Sequence, residues 1–364
     1  MNLSLLLDMA RDGFADRVVL GPRTGGITAA DLHRRSVGGA RALAKAGAKA
    51  LIYLGVNGPA FPVALFSAAR AGIPLVPLNY RVGDEQLAAL LAHHPDAFVV
   101  TDAGQRERAR ELDITTVTQA EWLELTADLA GAEIDPPTAP ADAAVIIYTS
   151  GTTSEPKGVV IRNANLLAYV FGSVEFAAAA ETEAALISVP PYHIAAVANA
   201  ITNLYAGRRS VVLDQFTPEQ WLDVVRTEQI TNALVVPTML ARIMAADGVD
   251  QHVPSLRSLA YGGASMPLPV VERALQTWPA VDFVNAYGLT ETSSTIAVLG
   301  PDDHRAALAS PDPAVRARLG SAGRVVPAVE VEIRDEDGRP RTDGGPGRIW
   351  VRGEQVSGEY TGSG

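Results

Sequence analysis

A chain of 364 residues that is 48% hydrophobic and 20% charged can bury a core large enough for two packed sub-structures, which excludes a disordered chain. Its formal net charge of −11 excludes a protein that coats nucleic acid or an anionic membrane with clustered Lys and Arg, so an anionic ligand needs a local positive site. The absence of cysteine excludes a disulfide framework, a thiolate metal site and a thiol nucleophile, and is compatible with a reducing compartment.

The N-terminus, MNLSLLLDMARDGFADR, has a short apolar run without a basic start, so no secretory signal is expected. From residue 51, LIYLGVN, PAFPVALFSAARAG, PLVPLN, GDEQLAALLAHH and AFVVT alternate short apolar runs with helix-length amphipathic stretches, which predicts β-α-β-α-β. A linker is expected near LTADLAGAEIDPPTAPADAA, where Pro and Ala cluster without periodicity. The rhythm returns from AALISVP to VDFVNAYG, and Thr217, Pro218 and Gln220 mark a helix start. The window from Ala184 carries a Pro pair, His193 and two Asn, so it reads as core and not as a membrane span. Beyond about residue 320 the pattern turns to strands and turns, with a DG turn in VEVEIRDEDGRP and a second strand in GRIWVRG.

Between the two α/β units lies YTSGTTSEPKG, hydroxyl side chains and glycines around Lys157, one of only three lysines in the chain. It follows the strand AAVIIY, and a helix is expected near Asn163, a setting in which backbone N–H groups meet phosphate. The spacing fails the ordinary P-loop, because no glycine precedes the lysine and no Ser or Thr follows it. On its own the stretch is a phosphate loop of another kind or a surface turn of small polar residues. Neither GxSxG nor GxGxxG occurs, which counts against a serine hydrolase and a dinucleotide enzyme.

YTSGTTSEPKGVV together with NAYGLTET at 285–292 resembles the adenylate-forming superfamily, and PLNYR, YGGAS and SAGRVVPAVEVEI extend the likeness through the chain. Ser154 departs from the glycine usual there. The resemblance implies an α/β fold, the adenylate-forming N-terminal domain, with α/β sheet subdomains over about 1–165 and 166–300 and a small β-barrel-like, mainly β part over 301–364. It implies activation of a carboxylic acid by ATP to an acyl-AMP, then transfer to CoA or, alternatively, to a carrier protein, in the cytoplasm. Thr149, Ser150, Gly151, Thr152, Thr153 and Lys157 would embrace the departing pyrophosphate. Thr290 would meet the α-phosphate and Glu291 a magnesium ion, while Gly262, Gly263, Ala264, Asn285, Tyr287 and Gly288 would line the adenosine, with Tyr287 stacked on adenine. Read as isolated residues, Thr290 and Glu291 equally cap a helix and Tyr287 equally packs in a core.

By the same resemblance, His193 in PPYHIAAVANAI stands where amino-acid-activating relatives carry an aspartate, so a non-amino acid, fatty or aryl, is expected; Ile194, Ala195, Ala196, Val197 and Ala200 fit its channel and fit a packed helix equally well. A helix-start histidine is the plainer alternative. Arg242 meets a second substrate carboxylate or, more simply, lies on a solvated helix face. His93 and His94 show no metal-ligand spacing and read as surface residues. The family's small C-terminal domain, about 100 residues, would follow Gly364, so these residues are expected to bind ATP or acyl-AMP, to adenylate weakly and to hold an incomplete CoA site. A non-catalytic nucleotide-sensing module is the alternative from another class; retention of Lys157, His193, Thr290 and Glu291 argues against it.

Overall fold

The computed structural model describes residues 1–112, 114–130, 142–149 and 157–362. After the helix Ser4–Phe14 the chain forms a hairpin of β1 (Val18–Leu20) and β2 (Ile27–Thr28). Six strands follow: β3 (Ala50–Leu54), β4 (Leu75–Pro77), β5 (Ala97–Thr101), β6 (Val117–Thr118), β7 (Ala143–Thr149) and β8 (Lys157–Arg162). They build one sheet in the order β6-β5-β3-β4-β7-β8, parallel except for the last pair.

A second sheet takes β9 (Ala184–Ile187), β10 (Arg209–Val212), β11 (Asn232–Val235), β12 (Ser258–Gly262), β13 (Asp282–Leu289), β14 (Ser294–Leu299) and β15 (Arg324–Val325). With the first hairpin added, its order is β15-β14-β13-β12-β11-β9-β10-β1-β2. Strands β16 (Glu330–Arg334) and β17 (Arg348–Arg352) pair as an antiparallel ribbon, the described form of the part expected to be barrel-like. The DG turn doubles β16 back, with Gly338 donating to Asp335 at 3.1 Å, and a further segment precedes β17.

Period-two burial explains the layering. In β3, Leu51 and Tyr53 enter a core cluster with helices Ser4–Phe14, Ala60–Ala71, Asn163–Ser173 and Ile194–Ala206, while Ala50, Ile52 and Leu54 enter a separate cluster with Leu87 and Leu90. The helices of the first cluster therefore lie between the two sheets. A third cluster, with Leu186, Val235, Leu259 and Phe283, covers the outer face of the nine-stranded sheet. Thr217 caps helix Pro218–Thr227, its hydroxyl accepting from Gln220 N at 3.2 Å with Pro218 in the first turn, as the sequence predicts. Among the described residues no helix is long and apolar enough to cross a membrane.

Sheet membership does not follow divisions at 165 and 300. The hairpin β1–β2 precedes the six-stranded sheet in sequence but joins the other one, and β15 carries that sheet past residue 300, after a helical stretch from Pro301 to Gly320. Arg209 explains the first displacement. Only 5% of its side chain is exposed, and it donates to Gly21 O at 2.9 Å, to the Glu228 carboxylate at 2.7 Å and to Glu228 O at 2.7 Å. Arg209 is buried while 27% of the Glu228 side chain meets solvent, so its removal leaves a carboxylate only partly compensated by water. Arg209→Ala should lower unfolding stability by about 2 kcal/mol in urea denaturation; a loss under about 1 kcal/mol would show that the pair does not hold the hairpin.

Candidate active site

The inner face of the nine-stranded sheet is lined by small side chains. Ala185, Ser258, Ala260, Gly262, Ala286 and Gly288 alternate with the large outward residues Leu186, Leu259, Tyr261 and Phe283. Ala195, Ala198, Asn199 and Thr202 of the facing helix Ile194–Ala206 continue the same wall. Between helix and sheet a cavity of about 1050 Å³ remains. It runs from Ser258 at the start of β12 to Gly262 at its end, four residue steps or about 13 Å at the usual strand rise. Gly262 is required by packing, since a Cβ there would stand 2.2 Å from Ala286 O of the neighbouring strand.

At the C-terminal end of the strands the wall is the turn Thr290–Thr292. Thr292 is buried and holds the turn, accepting from Leu289 N at 3.0 Å, and Thr290 and Glu291 line the cavity. Ser293 and Ser294 follow with φ of 55° and 122°, conformations that side chains rarely adopt and that surrounding structure must enforce. Gln355 and Ser357 supply the enforcement. Ser293 Oγ donates to Gln355 O at 2.8 Å, Gln355 Nε2 donates to Thr292 O at 3.0 Å and to Thr295 O at 2.9 Å, and Ser357 N donates to Glu291 O at 2.7 Å.

The same segment continues along β8. Val160 N donates to Glu359 O at 3.0 Å, Thr361 N donates to Gly158 O at 2.7 Å, and Ser357 Oγ donates to Val160 O. Tyr360 reaches into the site, its hydroxyl donating to Glu291 Oε1 at 2.8 Å. That bond, with burial second, raises the Tyr360 pKa. Lys157 Nζ stands 5.9 Å from the Tyr360 ring centre, a cation–π distance. Lys157, Tyr360 and Glu291 thus form a row, with Lys157 outside the cavity lining.

Thr149 ends β7, lines the cavity and pairs in register with Lys157, so β7 and β8 are antiparallel neighbours. The run KGVVIR favours a strand because its β-branched residues suit a pleated surface. The helix begins at Asn163, where the sequence places it, but strand β8, which the sequence reading lacks, stands before it. Ser150, Gly151, Thr152 and Thr153 lie outside the described residues.

Of the other expected residues, His193, Gly262, Gly263, Ala264, Gly288, Thr290 and Glu291 share the one cavity, whereas Asn285 and Tyr287 do not line it. Both alternate with the lining residues Ala286 and Gly288 along β13, and Asn285 Nδ2 donates to Ser321 O at 2.8 Å. His193 precedes helix Ile194–Ala206 and makes no side-chain cap to it. Its ring lies 4.6 Å from Tyr192, which meets Tyr80 edge-on at 5.6 Å, and Arg81 sits over Tyr80. Burial first and the Arg81 charge second hold the His193 pKa below the ordinary value of 6.5, which favours a neutral imidazole.

Along the helix, Ile194 and Ala195 reach the cavity, while Ala196, Val197 and Ala200 are packed in the central core. Arg242 is exposed and lies over Phe216 at 5.1 Å, away from the lining. His94 is not a plain surface residue, because its Nε2 hydrogen bonds with the Tyr148 hydroxyl at 2.9 Å, near the end of β7. Sequence reading missed Tyr360, whose partners are brought to it by the fold, and the polar side chains Asn199, Thr202 and Asn203. The latter were legible as an i, i+3, i+4 stripe in an apolar helix.

A divalent cation carried in by phosphate needs only one or two protein carboxylates. Glu291 fits that requirement: it is the one carboxylate in the cavity lining among the described residues, and one of its oxygens already accepts a bond that fixes it. Those residues hold no group of three His, Asp or Glu that would make an all-protein metal site.

A family model described as AMP-binding enzyme matches residues 7–361. Feruloyl-CoA synthase of an Amycolatopsis species is 31% identical over 92% of this chain and 67% of its own length. Fatty acid–[acyl-carrier-protein] ligase ScoC of Streptomyces coeruleorubidus is 29% identical over 92% of this chain and 66% of its own. The chain thus spans about two thirds of these relatives. The crystal structure of the N-terminal domain of FACL13 from Mycobacterium tuberculosis superposes with a TM-score of 0.83 at 21% identity, covering 99% of this chain and 91% of that one, a likeness of fold.

The histidines make stability depend on pH. His94, His193 and His304 all have pKa values below 6.5, each chiefly through burial. His304 Nδ1 donates to Gly300 O at 2.7 Å, so in the neutral ring Nε2 accepts from the Tyr261 hydroxyl at 2.8 Å. A group whose folded pKa is depressed in this way favours the neutral form, and its contribution is complete above 6.5 and lost as pH falls through the folded values. The urea midpoint should be flat from pH 8 to 7 and fall from pH 6.5 to 5. A midpoint constant down to pH 5 would contradict a neutral His304, the one of the three that is fully buried.

Proposed function

The chain belongs to the AMP-binding enzyme family, and from that premise we propose that it activates a non-amino carboxylic acid with ATP and, at full family length, passes the acyl group to CoA. A substrate carboxylate oxygen attacks the α-phosphorus of ATP. The bond to the bridging oxygen breaks, pyrophosphate leaves with the electron pair, and acyl-AMP remains. A thiolate then attacks the acyl carbon and AMP departs. No proton transfer is needed in the first step, so the demand on the protein is to neutralise charge and align the two anions.

The observation that carries this reading is the single cavity in which Thr290 and Glu291 close one end and His193 stands beside small, mostly apolar walls. Thr290 is assigned to the α-phosphate, and Thr149, Ser150, Gly151, Thr152, Thr153 and Lys157 to the leaving pyrophosphate. Gly262, Gly263, Ala264, Asn285, Tyr287 and Gly288 are assigned to the nucleoside. Glu291 holds the magnesium ion, which when bound offsets phosphate charge. Tyr360 positions Glu291 by fixing one oxygen, and the other has no partner among the described residues. A neutral His193 offers a hydrogen bond to the acid without a competing negative charge. An amino acid is disfavoured because its ammonium would find no carboxylate beside His193 among the described lining residues.

A carrier-protein phosphopantetheine is the second acceptor considered, on the strength of the ScoC likeness. Use of ATP and CoA also favours a cytoplasmic location. Acid-dependent pyrophosphate release by the protein at its natural full length, over a panel of fatty, aryl and amino acids, tests the reading. No acid-dependent release with ATP binding intact would favour a sensing module instead. Glu291→Gln and Tyr360→Phe should each weaken magnesium-dependent ATP binding, by about tenfold for the supporting Tyr360 bond. Calorimetric titration with and without magnesium checks this, and unchanged affinity in both variants would remove the metal assignment.

A further inference from the structure

The far end of the cavity, where β9, β11 and β12 begin, is polar. Asn199, Thr202, Asn203, Arg208, Asn232 and Ser258 line it, opposite the end closed by Thr290 and Glu291. The one positive charge there is already matched: Arg208 donates to Glu183 Oε2 through Nε and Nη2, both at 3.0 Å, and to Asn203 Oδ1 at 3.1 Å. The other groups are only half used. Asn199 Nδ2 donates to Ala195 O at 2.8 Å, leaving its carbonyl oxygen, and Thr202 Oγ1 donates to Ala198 O at 2.7 Å, leaving its lone pairs. Asn232 Oδ1 lies 2.8 Å from Thr231 Oγ1, whose one proton is shared with Ala184 O at 3.0 Å, which leaves the Asn232 NH2 group, and the Ser258 hydroxyl has no partner among the described residues.

We infer that the cavity selects an acid whose tail ends in an uncharged hydrogen-bonding group, a hydroxyl or a carboxamide, about 13 Å from the nucleotide end. Such a group meets both donors (Asn232, Ser258) and acceptors (Asn199, Thr202). A methyl end would strip water from these polar groups without replacing its bonds, which a site built for hydrogen bonding penalises strongly. A second carboxylate would meet a guanidinium neutralised by Glu183 and would itself lose hydration.

This inference rests on the adenylation reading, and binding separates the two. Acyl-sulfamoyl adenosines that mimic acyl-AMP, matched in length and ending in methyl, hydroxyl, carboxamide or carboxylate, are titrated calorimetrically into the 364-residue chain. The hydroxyl and carboxamide compounds should bind at least about tenfold more tightly than the methyl and carboxylate ones. In Asn232→Leu and Ser258→Ala the hydroxyl-to-methyl ratio should fall towards one. Equal affinity across the set, or preference for methyl or carboxylate, would overturn the inference and leave adenylation standing. Failure of every compound to bind would overturn both.

Discussion

Protein interiors pack at the density of organic crystals, so a void of about 1050 Å³ between a sheet and a helix has to be built. It is built by side-chain size. Along β12 the inner face carries Ser258, Ala260 and Gly262, and beside them on β13 come Ala286 and Gly288, while Leu259, Tyr261 and Phe283 pack outward. The large outward residues anchor the sheet, and the small inward ones cannot reach the helix Ile194–Ala206. Tyr261 is further fixed through His304, so a strand that loses packing on its inner face keeps it on the outer one. The position of the site depends on this asymmetry.

The second constraint is chain connectivity at the cavity mouth. The turn with Thr290 and Glu291 leads into two left-handed or strained serines, and such a turn persists only if other groups over-determine it. Segment 355–361 does so from one side while pairing with β8 on the other. One strap therefore joins both sheets at the point where Tyr360 touches Glu291. Charge, shape and backbone strain meet within a few residues, which is the arrangement expected where anions must be aligned and not merely held.

Much of this was legible in the chain. The alternation of apolar runs with amphipathic stretches gave strands and helices because the two periods, 2.0 and 3.6, are written directly into side-chain order. Thr217, Pro218 and Gln220 marked a helix start because capping is local. The failures were non-local. KGVVIR was passed over as a strand because its partner AAVIIYT is decisive only when paired. Hairpin β1–β2 was assigned with its sequence neighbours, although Arg209 draws it to a sheet whose strands come much later. His94 read as surface because nothing local reveals Tyr148 above it.

By itself, then, the sequence determined the family motifs, the residue types able to meet phosphate and a cation, and the class of fold, since each depends on local order or short spacing. Tertiary structure alone decided that Thr149, His193, Gly262, Thr290 and Glu291 open on one cavity, that Asn285, Tyr287 and Lys157 do not line it, and that Tyr360 sits on Glu291. It also placed a neutralised Arg208 at the far end. These facts rest on strand register and on contacts between residues 69 to 197 positions apart, which packing sets and no local pattern encodes.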